Sequence, residues 1–99
     1  MILNIYSLVG CPYSIRSEKL LSKYNHKIIK VEHIEKQKYK DMNEMSTFPQ
    51  IFLVDNDKRI KIGGLDDTVS LLDKIFNNQP INYSENDSKK LIKFFLNKK

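Results

Sequence analysis

The chain has 99 residues, of which 40% are hydrophobic, and this length corresponds to one domain with a modest core and no room for a second. Its 17 basic and 12 acidic residues give a formal net charge of +5, and its single cysteine rules out an internal disulfide framework. No apolar run approaches the roughly 20 residues that span a bilayer, and residues 1–6 lack the features of a signal peptide. We therefore expect a small, soluble, cytoplasmic protein that does not bind membranes.

The excess of positive charge comes mainly from lysine, since 15 of the 17 basic residues are Lys and only two are Arg. Proteins that recognise nucleic acids favour Arg, whose planar fork matches phosphates and base edges. The composition therefore predicts no nucleic-acid partner, although the charge can still attract acidic small molecules or acidic surfaces.

The first half of the chain predicts a β-α-β unit. Residues 2–6 are rich in β-branched and aromatic side chains and predict a short buried strand that ends at Ser7 to Gly10. Pro12 is well placed in a first helical turn, and the helix is predicted to run to Tyr24. Alternation of charged and apolar residues over 27–34 predicts the second strand.

A helix and a hairpin follow. Residues 35–45 are polar with sparse apolar positions, which predicts a short solvated helix. Residues 50–54 and 59–62 are predicted strands, and the Asp- and Asn-rich turn over 55–58 indicates that they form a β-hairpin.

Two helices are predicted to end the chain. The first covers 66–76, and the two aspartates at its start are interpreted as N-cap chemistry. Ser84 and Asp87 resemble a capping box for the second, which is basic and amphipathic. We expect this last helix to pack on the domain, with binding to a partner or an anionic surface as the alternative.

The element order β-α-β-α-β-β-α-α predicts an α/β fold. The early β-α-β unit gives a parallel pair by a right-handed crossover, and the hairpin adds antiparallel strands. The expected architecture is a mixed four-stranded sheet with helices on both faces. Residues 1–99 are predicted to be one domain, with a core of about 1–77 and a C-terminal helical extension of about 83–97.

Cys11 is the first candidate for chemistry because it lies at a strand-to-helix junction. A sulfur there is close to unpaired backbone N–H groups and to the positive end of the helix dipole, which favour the thiolate. Such thiols have pKa values of roughly 3.5–7.5 instead of about 8.5. The alternative is an inert buried cysteine.

Pro49 is the second candidate, because proline permits a cis peptide bond far more readily than other residues do. A cis Phe48-Pro49 bond would leave the N–H and C=O of Phe48 free to pair with a peptide-like ligand as an added strand. The alternative is an ordinary trans proline before a strand.

The third candidate is the segment 63–67, Gly-Gly-Leu-Asp-Asp. Glycines let a backbone approach a ligand closely, and the following helix N-terminus can bind a carboxylate. Asp66 and Asp67 can take an ammonium group, so the segment suits an amino-acid zwitterion. A glycine turn followed by a helix cap also explains these residues.

Three segments carry these candidates and their neighbours: Cys11-Pro12-Tyr13-Ser14, Thr47-Phe48-Pro49-Gln50-Ile51-Phe52-Leu53 and Gly63-Gly64-Leu65-Asp66-Asp67. In order and spacing they resemble the motifs of the glutaredoxin family, and the resemblance covers about residues 2–76. It implies a thioredoxin-like fold, a cis proline and glutathione as co-substrate. It also implies that the protein reduces glutathionylated or disulfide-containing proteins, which would be its partners.

The resemblance also implies roles for individual residues. Cys11 matches the catalytic nucleophile, and Pro12, Tyr13 and Ser14 complete the active-site motif. Tyr13 flanks bound glutathione, the Phe48 backbone pairs with its cysteinyl part, and the segment after Gly63 holds its γ-glutamyl end. The implied glutathione-binding set is Tyr13, Thr47, Phe48, Pro49, Gly64, Leu65, Asp66 and Asp67.

Two positions depart from the usual pattern of the family. Ser14 stands where dithiol glutaredoxins have a second cysteine, so the resemblance implies a monothiol mechanism. Leu8 stands where the family usually has a Lys that contacts the glycyl carboxylate, and losing such a contact costs about 1.5–3 kcal/mol. Arg16, Lys19 or a lysine within 36–40 is a candidate replacement.

Two other functions on the same fold stay open. One is a redox-inactive module that binds glutathione or protein. The other is an iron–sulfur cluster carrier, but such glutaredoxins have Gly-Phe-Ser after the cysteine, whereas Pro12, Tyr13 and Ser14 follow it here. We therefore expect glutathione as co-substrate, no metal, and a monomer.

Overall fold

The computed structural model describes residues 1–97, and its elements follow the predicted order. The predicted domain of 1–99 also includes Lys98 and Lys99, which lie outside the described residues. A short 3₁₀ turn precedes the second helix. The elements are β1 (Ile2–Leu8), α1 (Pro12–Leu20), β2 (His26–Val31), the 3₁₀ turn (His33–Glu35), α2 (Lys36–Asn43), β3 (Gln50–Asp55), β4 (Lys58–Gly63), α3 (Leu65–Phe76) and α4 (Glu85–Leu96).

The strands form one sheet in the order β2-β1-β3-β4. β1 pairs in parallel with β2, and β3 pairs antiparallel with both β1 and β4, as the β-α-β unit and the hairpin predict. The mixed four-stranded sheet is therefore confirmed. β1 and β3 are the central strands, and the edge strands β2 and β4 carry exposed Lys and Arg side chains.

Helices cover both faces of the sheet, as predicted. α2 covers one face, over a small cluster formed by Tyr6, Val31, Phe48 and Phe52 with Tyr39 and Met45 against it. α1, α3 and α4 cover the other face. The main core on that side is formed by Leu3, Ile5, Leu21, Tyr24, Ile51, Leu53, Ile60, Ile62, Leu71, Leu72, Ile75, Leu91 and Phe95.

Two predicted elements are too long at their C-terminal ends. α1 stops at Leu20 instead of Tyr24, because the chain turns there to bring Tyr24 into the main core. β2 stops at Val31 instead of residue 34, because its partner strand ends at Leu8, which pairs with Val31. Ile34 lies in the 3₁₀ turn and is 94% exposed.

The prediction for the start of α3 is wrong in detail. Asp66 and Asp67 lie in the first turn, and the N-cap residue is Gly64. The Asp67 carboxylate accepts a hydrogen bond from the Gly64 N–H at 3.1 Å, so it caps the helix from inside the first turn. At α4 the prediction holds for Ser84, whose hydroxyl accepts a hydrogen bond from the Asp87 N–H at 3.1 Å.

α4 packs on the rest of the protein through fully buried side chains. Leu91 and Phe95 belong to the main core, and the Phe95 ring meets the Tyr24 ring edge-on with centroids 5.0 Å apart. Two ion pairs also join α4 to the hairpin, Lys58 with Asp87 at 3.0 Å and Lys90 with Asp55 at 2.9 Å. No helix within residues 1–97 has the length and apolarity that crossing a membrane requires.

We expect α4 to contribute to global stability, which would make the extension over about 83–97 part of a single domain. Leu91→Ala should lower the free energy of unfolding by about 2–5 kcal/mol, because it removes a fully buried side chain. Leu96→Ala, on the same helix but 51% exposed, should change it by no more than about 0.5 kcal/mol. Urea unfolding followed by circular dichroism measures both, and equal effects would contradict the assignment.

Candidate active site

Cys11 is the N-cap residue of α1 and has an extended backbone. Gly10 before it has φ +81°, which an L side chain rarely adopts and glycine adopts freely. The Cys11 N–H donates to the Leu8 carbonyl at 3.1 Å, so the turn folds back on the end of β1. The thiol is free and partly exposed, which excludes the alternative of a fully buried cysteine.

The surroundings of Cys11 favour its thiolate. Burial raises the pKa of the Cys11 thiol, but hydrogen bonds from the Ser14 backbone, the Ser14 hydroxyl and the Tyr13 backbone lower it by more. The net pKa lies below the usual thiol value. These donors belong to the first turn of α1, where backbone N–H groups have no partner within the helix. A lowered pKa increases the fraction of thiolate, which is the form in which a cysteine can act as a nucleophile.

Ser14 joins the first turn of α1 to the central strand. Its side chain is fully buried, and its hydroxyl oxygen accepts a hydrogen bond from the Leu8 N–H at 3.1 Å. The helix is held a turn later as well, because Glu18 accepts hydrogen bonds from the Ser7 hydroxyl and, at 3.1 Å, from Lys30. These contacts fix α1, and with it the sulfur, relative to β1 and β2.

A groove lies beside the cysteine-bearing turn and has a volume of about 320 Å³. Its wall on the α1 side is Tyr13, close to Cys11 along the chain, although Cys11 itself is not a lining residue. The structure brings together all eight residues that were predicted to bind glutathione. They are Tyr13, Thr47, Phe48, Pro49, Gly64, Leu65, Asp66 and Asp67.

One side of the groove is the segment before β3. The Phe48-Pro49 peptide bond is cis, as the resemblance implies, and both side chains are buried while Thr47 is exposed. Within the part of the chain that the structure describes, the N–H and C=O of Phe48 make no hydrogen bond. A peptide-like ligand can therefore pair with both groups.

The start of α3 lies next to this segment and also lines the groove. Gly63 has φ +121°, and a Cβ there would collide with the Asp67 side chain, so this position requires glycine. Asp67 is already engaged in capping, whereas Asp66 is exposed on the groove. The helix N-terminus can bind a carboxylate, and a neighbouring aspartate can bind an ammonium group.

Position 8 and the candidate replacements for a lysine there can now be located. Leu8 is half-buried, and its backbone N–H is engaged by Ser14. Of the candidate replacements, Arg16 lies against the groove wall, with its guanidinium 5.5 Å from the centre of the Tyr13 ring. Such a cation can attract a carboxylate at the mouth of the groove.

Sequence reasoning missed a set of polar residues behind the groove. Asn43 and Gln50 are buried and hydrogen-bonded to each other, and Arg59 reaches them from β4. The one signal in the sequence is that Gln50 opens a strand that is otherwise apolar up to Val54. A buried amide at such a place needs hydrogen-bond partners.

Comparison with known proteins gives concordant matches. The family profile described as Glutaredoxin matches residues 3–60. Glutaredoxin 1 of Rickettsia prowazekii is 40% identical over 89 residues, covering 79% of this chain and 90% of that protein. Glutaredoxin 1 of Rickettsia bellii is 39% identical over 92 residues, covering 77% of this chain and 87% of that protein.

Solved structures agree with this. The crystal structure of glutaredoxin 1 from Francisella tularensis, complexed with cacodylate, is similar with a TM-score of 0.57 and 30% identity, covering 77% of this chain and 96% of that one. Reduced Escherichia coli glutaredoxin has a TM-score of 0.57 at 24% identity, covering 78% of this chain and 99% of that one. The second likeness concerns the fold alone.

Alkylation of Cys11 tests the hydrogen bonds that favour its thiolate. The rate with iodoacetamide should already be high near pH 6, and Ser14→Ala should move the profile to higher pH, because one stabilising hydrogen bond is lost. Ser22→Ala is the matched control, since its hydroxyl is exposed and bonds only to the Lys19 carbonyl. A profile that rises around pH 8–9 in the unsubstituted protein would contradict an activated thiol.

Proposed function

This chain belongs to the glutaredoxin family and has the thioredoxin-like fold, and from that premise we propose that it is a glutathione-dependent reductase of protein–glutathione mixed disulfides. Membership of the family supports a thiol–disulfide oxidoreductase. The observation that carries the finer proposal is the groove beside the cysteine-bearing turn, because every residue expected to bind glutathione lines it. We place this activity in the cytoplasm and on a monomer.

The proposed chemistry starts with the Cys11 thiolate. It attacks the glutathionyl sulfur of the mixed disulfide, so that the substrate protein leaves as a thiolate and takes up a proton. Cys11 is then disulfide-bonded to glutathione. A second glutathione thiolate attacks the glutathionyl sulfur of that bond, which releases glutathione disulfide and restores the Cys11 thiolate. Overall, the sulfur of the substrate protein is reduced to a thiol and one free glutathione is oxidised, because it joins the transferred glutathionyl group in glutathione disulfide.

The mechanism is monothiol because the chain has no second thiol. Cys11 is its single cysteine, and at position 14 an oxygen takes the place of the sulfur that would form an intramolecular disulfide. Ser14 is nevertheless buried, and its hydroxyl accepts a hydrogen bond from β1, so it helps to hold the first turn of α1 in place. Resolution of the intermediate therefore falls to external glutathione.

The groove explains how the glutathionyl group would be selected. The free backbone groups of Phe48 pair with its cysteinyl part, which aligns the sulfur for attack. The N-terminus of α3 takes the γ-glutamyl carboxylate, and Asp66 takes the ammonium group. Tyr13 closes the side next to the nucleophile. Glutathione is held as a substrate, and these roles require no metal.

Turnover of a small alkyl–glutathione mixed disulfide tests the proposal. With glutathione supplied and glutathione disulfide formation followed, the unsubstituted protein should turn over and Cys11→Ser should show none, because the nucleophile is lost. Intact mass after incubation with glutathione disulfide should show one glutathione added to the unsubstituted protein only. Glutathione binding without turnover would favour the redox-inactive module, and a coloured dimer after anaerobic reconstitution with iron, sulfide and glutathione would favour the cluster carrier.

The role of Asp66 has a separate test. Asp66→Asn should raise KM for the glutathionyl substrate roughly tenfold, which corresponds to about 1.4 kcal/mol, because an ion pair with the ligand ammonium is lost. The free energy of unfolding should stay nearly constant, since Asp66 is exposed. Asp57→Asn in the hairpin turn removes the same charge away from the groove and should leave KM unchanged. Equal effects of the two substitutions would contradict the assignment.

A further inference from the structure

A chain of polar side chains lies behind the groove, on the side of the sheet covered by α2. Asn43, the last residue of α2, is 2% exposed, and Gln50, the first residue of β3, is 0% exposed. The Asn43 side-chain amide donates to Gln50 Oε1 at 2.8 Å, and the Gln50 amide donates to the Met45 carbonyl at 3.3 Å. The two ends of the segment 44–49 are thereby joined.

Arg59 completes this network from the edge strand β4. Its Nη1 donates to Asn43 Oδ1 at 3.0 Å and lies 3.5 Å from the Tyr6 hydroxyl. Its guanidinium also stacks on the Phe52 ring at 4.0 Å from the ring centre. The planar fork can stack and donate at the same time, which a lysine ammonium cannot do.

A second β4 residue holds the same segment. Lys61 Nζ donates to the Glu44 carbonyl at 2.9 Å, where the backbone turns out of α2 with φ 53°. The segment 44–49 is therefore held by two side chains of β4. Lys61 binds its first residue directly, and Arg59 holds it through the Asn43–Gln50 pair. Burying the two amides is costly unless both are hydrogen-bonded, so the pair depends on Arg59 to satisfy Asn43.

The segment 44–49 carries three of the groove residues, Thr47, Phe48 and Pro49. We propose that Arg59 is a positioning residue for substrate binding, acting through Asn43 and Gln50 to hold this segment in the shape that pairs with the glutathionyl group. Arg59 does not line the groove. The expected effect of Arg59 on KM rests on the proposed function, whereas its expected effect on the conformation of the segment 44–49 does not.

Arg59→Leu tests the role of the guanidinium. KM for an alkyl–glutathione mixed disulfide should rise about 3- to 10-fold, because the binding segment loses its anchor, while kcat changes less. The pH profile of Cys11 alkylation should stay unchanged, because the sulfur is held by α1 and β1. Amide hydrogen exchange within 44–49 should become faster than in the unsubstituted protein.

Two further variants make the result specific. Arg59→Lys keeps a cationic donor but loses the planar fork of the guanidinium. Its KM and its exchange rate within 44–49 should therefore lie between those of the unsubstituted protein and those of Arg59→Leu. Lys58→Leu is the matched control, because it removes a charge from the same strand and its partner is Asp87 on α4. It should leave both KM and exchange within 44–49 unchanged.

The outcomes separate this inference from the proposed function. Unchanged KM and unchanged exchange in Arg59→Leu would overturn it, as would equal effects in Lys58→Leu. If Arg59→Leu does not fold, the same criteria apply to Arg59→Lys. If the unsubstituted protein has no turnover, the proposed function fails, and faster exchange within 44–49 still decides whether Arg59 holds the segment.

Discussion

The antiparallel pairing of β3 with both of its neighbours is the constraint on which the site depends. Because β1 and β3 run in opposite directions, the end of β1 lies beside the start of β3, and Tyr6 pairs with Gln50. Because β3 and β4 also run in opposite directions, Ile51 pairs with Gly63 at the end of β4. The cysteine turn, the prolyl segment and the glycine turn therefore meet at the same end of neighbouring strands, although they are far apart in the chain.

The residues that affect the ionisation of Cys11 and the residues that form most of the groove belong to separate parts of the fold. The first turn of α1 controls the charge on the sulfur, through donors from Tyr13 and Ser14. The segments before β3 and after β4 form most of the groove, which in the proposed function selects the group to be attacked. Because the hydrogen bonds that lower the Cys11 pKa come from α1, we expect changes in the segments before β3 and after β4 to leave the ionisation of Cys11 unaltered. Ser14 belongs to the first part, where its hydroxyl serves both the strand and the sulfur.

Local chemistry predicted much of this structure from the sequence. Pro12 opens α1, Ser84 caps α4, and the strand and helix order follows from periodicity. The predicted ends of α1 and β2 are wrong because contacts with other elements determine them. The chain leaves α1 early to bring Tyr24 into the core, and β2 ends at Val31, where its partner strand β1 also ends. The motifs, through their resemblance to a family, predicted the groove residues.

The polar network behind the groove was beyond such reasoning. Asn43 and Gln50 look like ordinary surface residues until α2 and β3 are packed together, and Arg59 becomes their partner only through the register of β4. A single sequence records no contact between side chains so far apart in the chain. Interactions of this kind depend on tertiary geometry, whereas caps and turns depend on neighbours in the chain.

The charged edges of the sheet have a consequence for how the protein behaves at high concentration. β2 presents Lys27 and Lys30, and β4 presents Lys58, Arg59 and Lys61, all of them exposed. A second copy that approached edge to edge would bring like charges together, and lysine-rich edges of this kind oppose fibril-like growth of the sheet. Backbone pairing with an incoming peptide is thereby disfavoured at the outer strands, whereas the N–H and C=O of Phe48 are free for it.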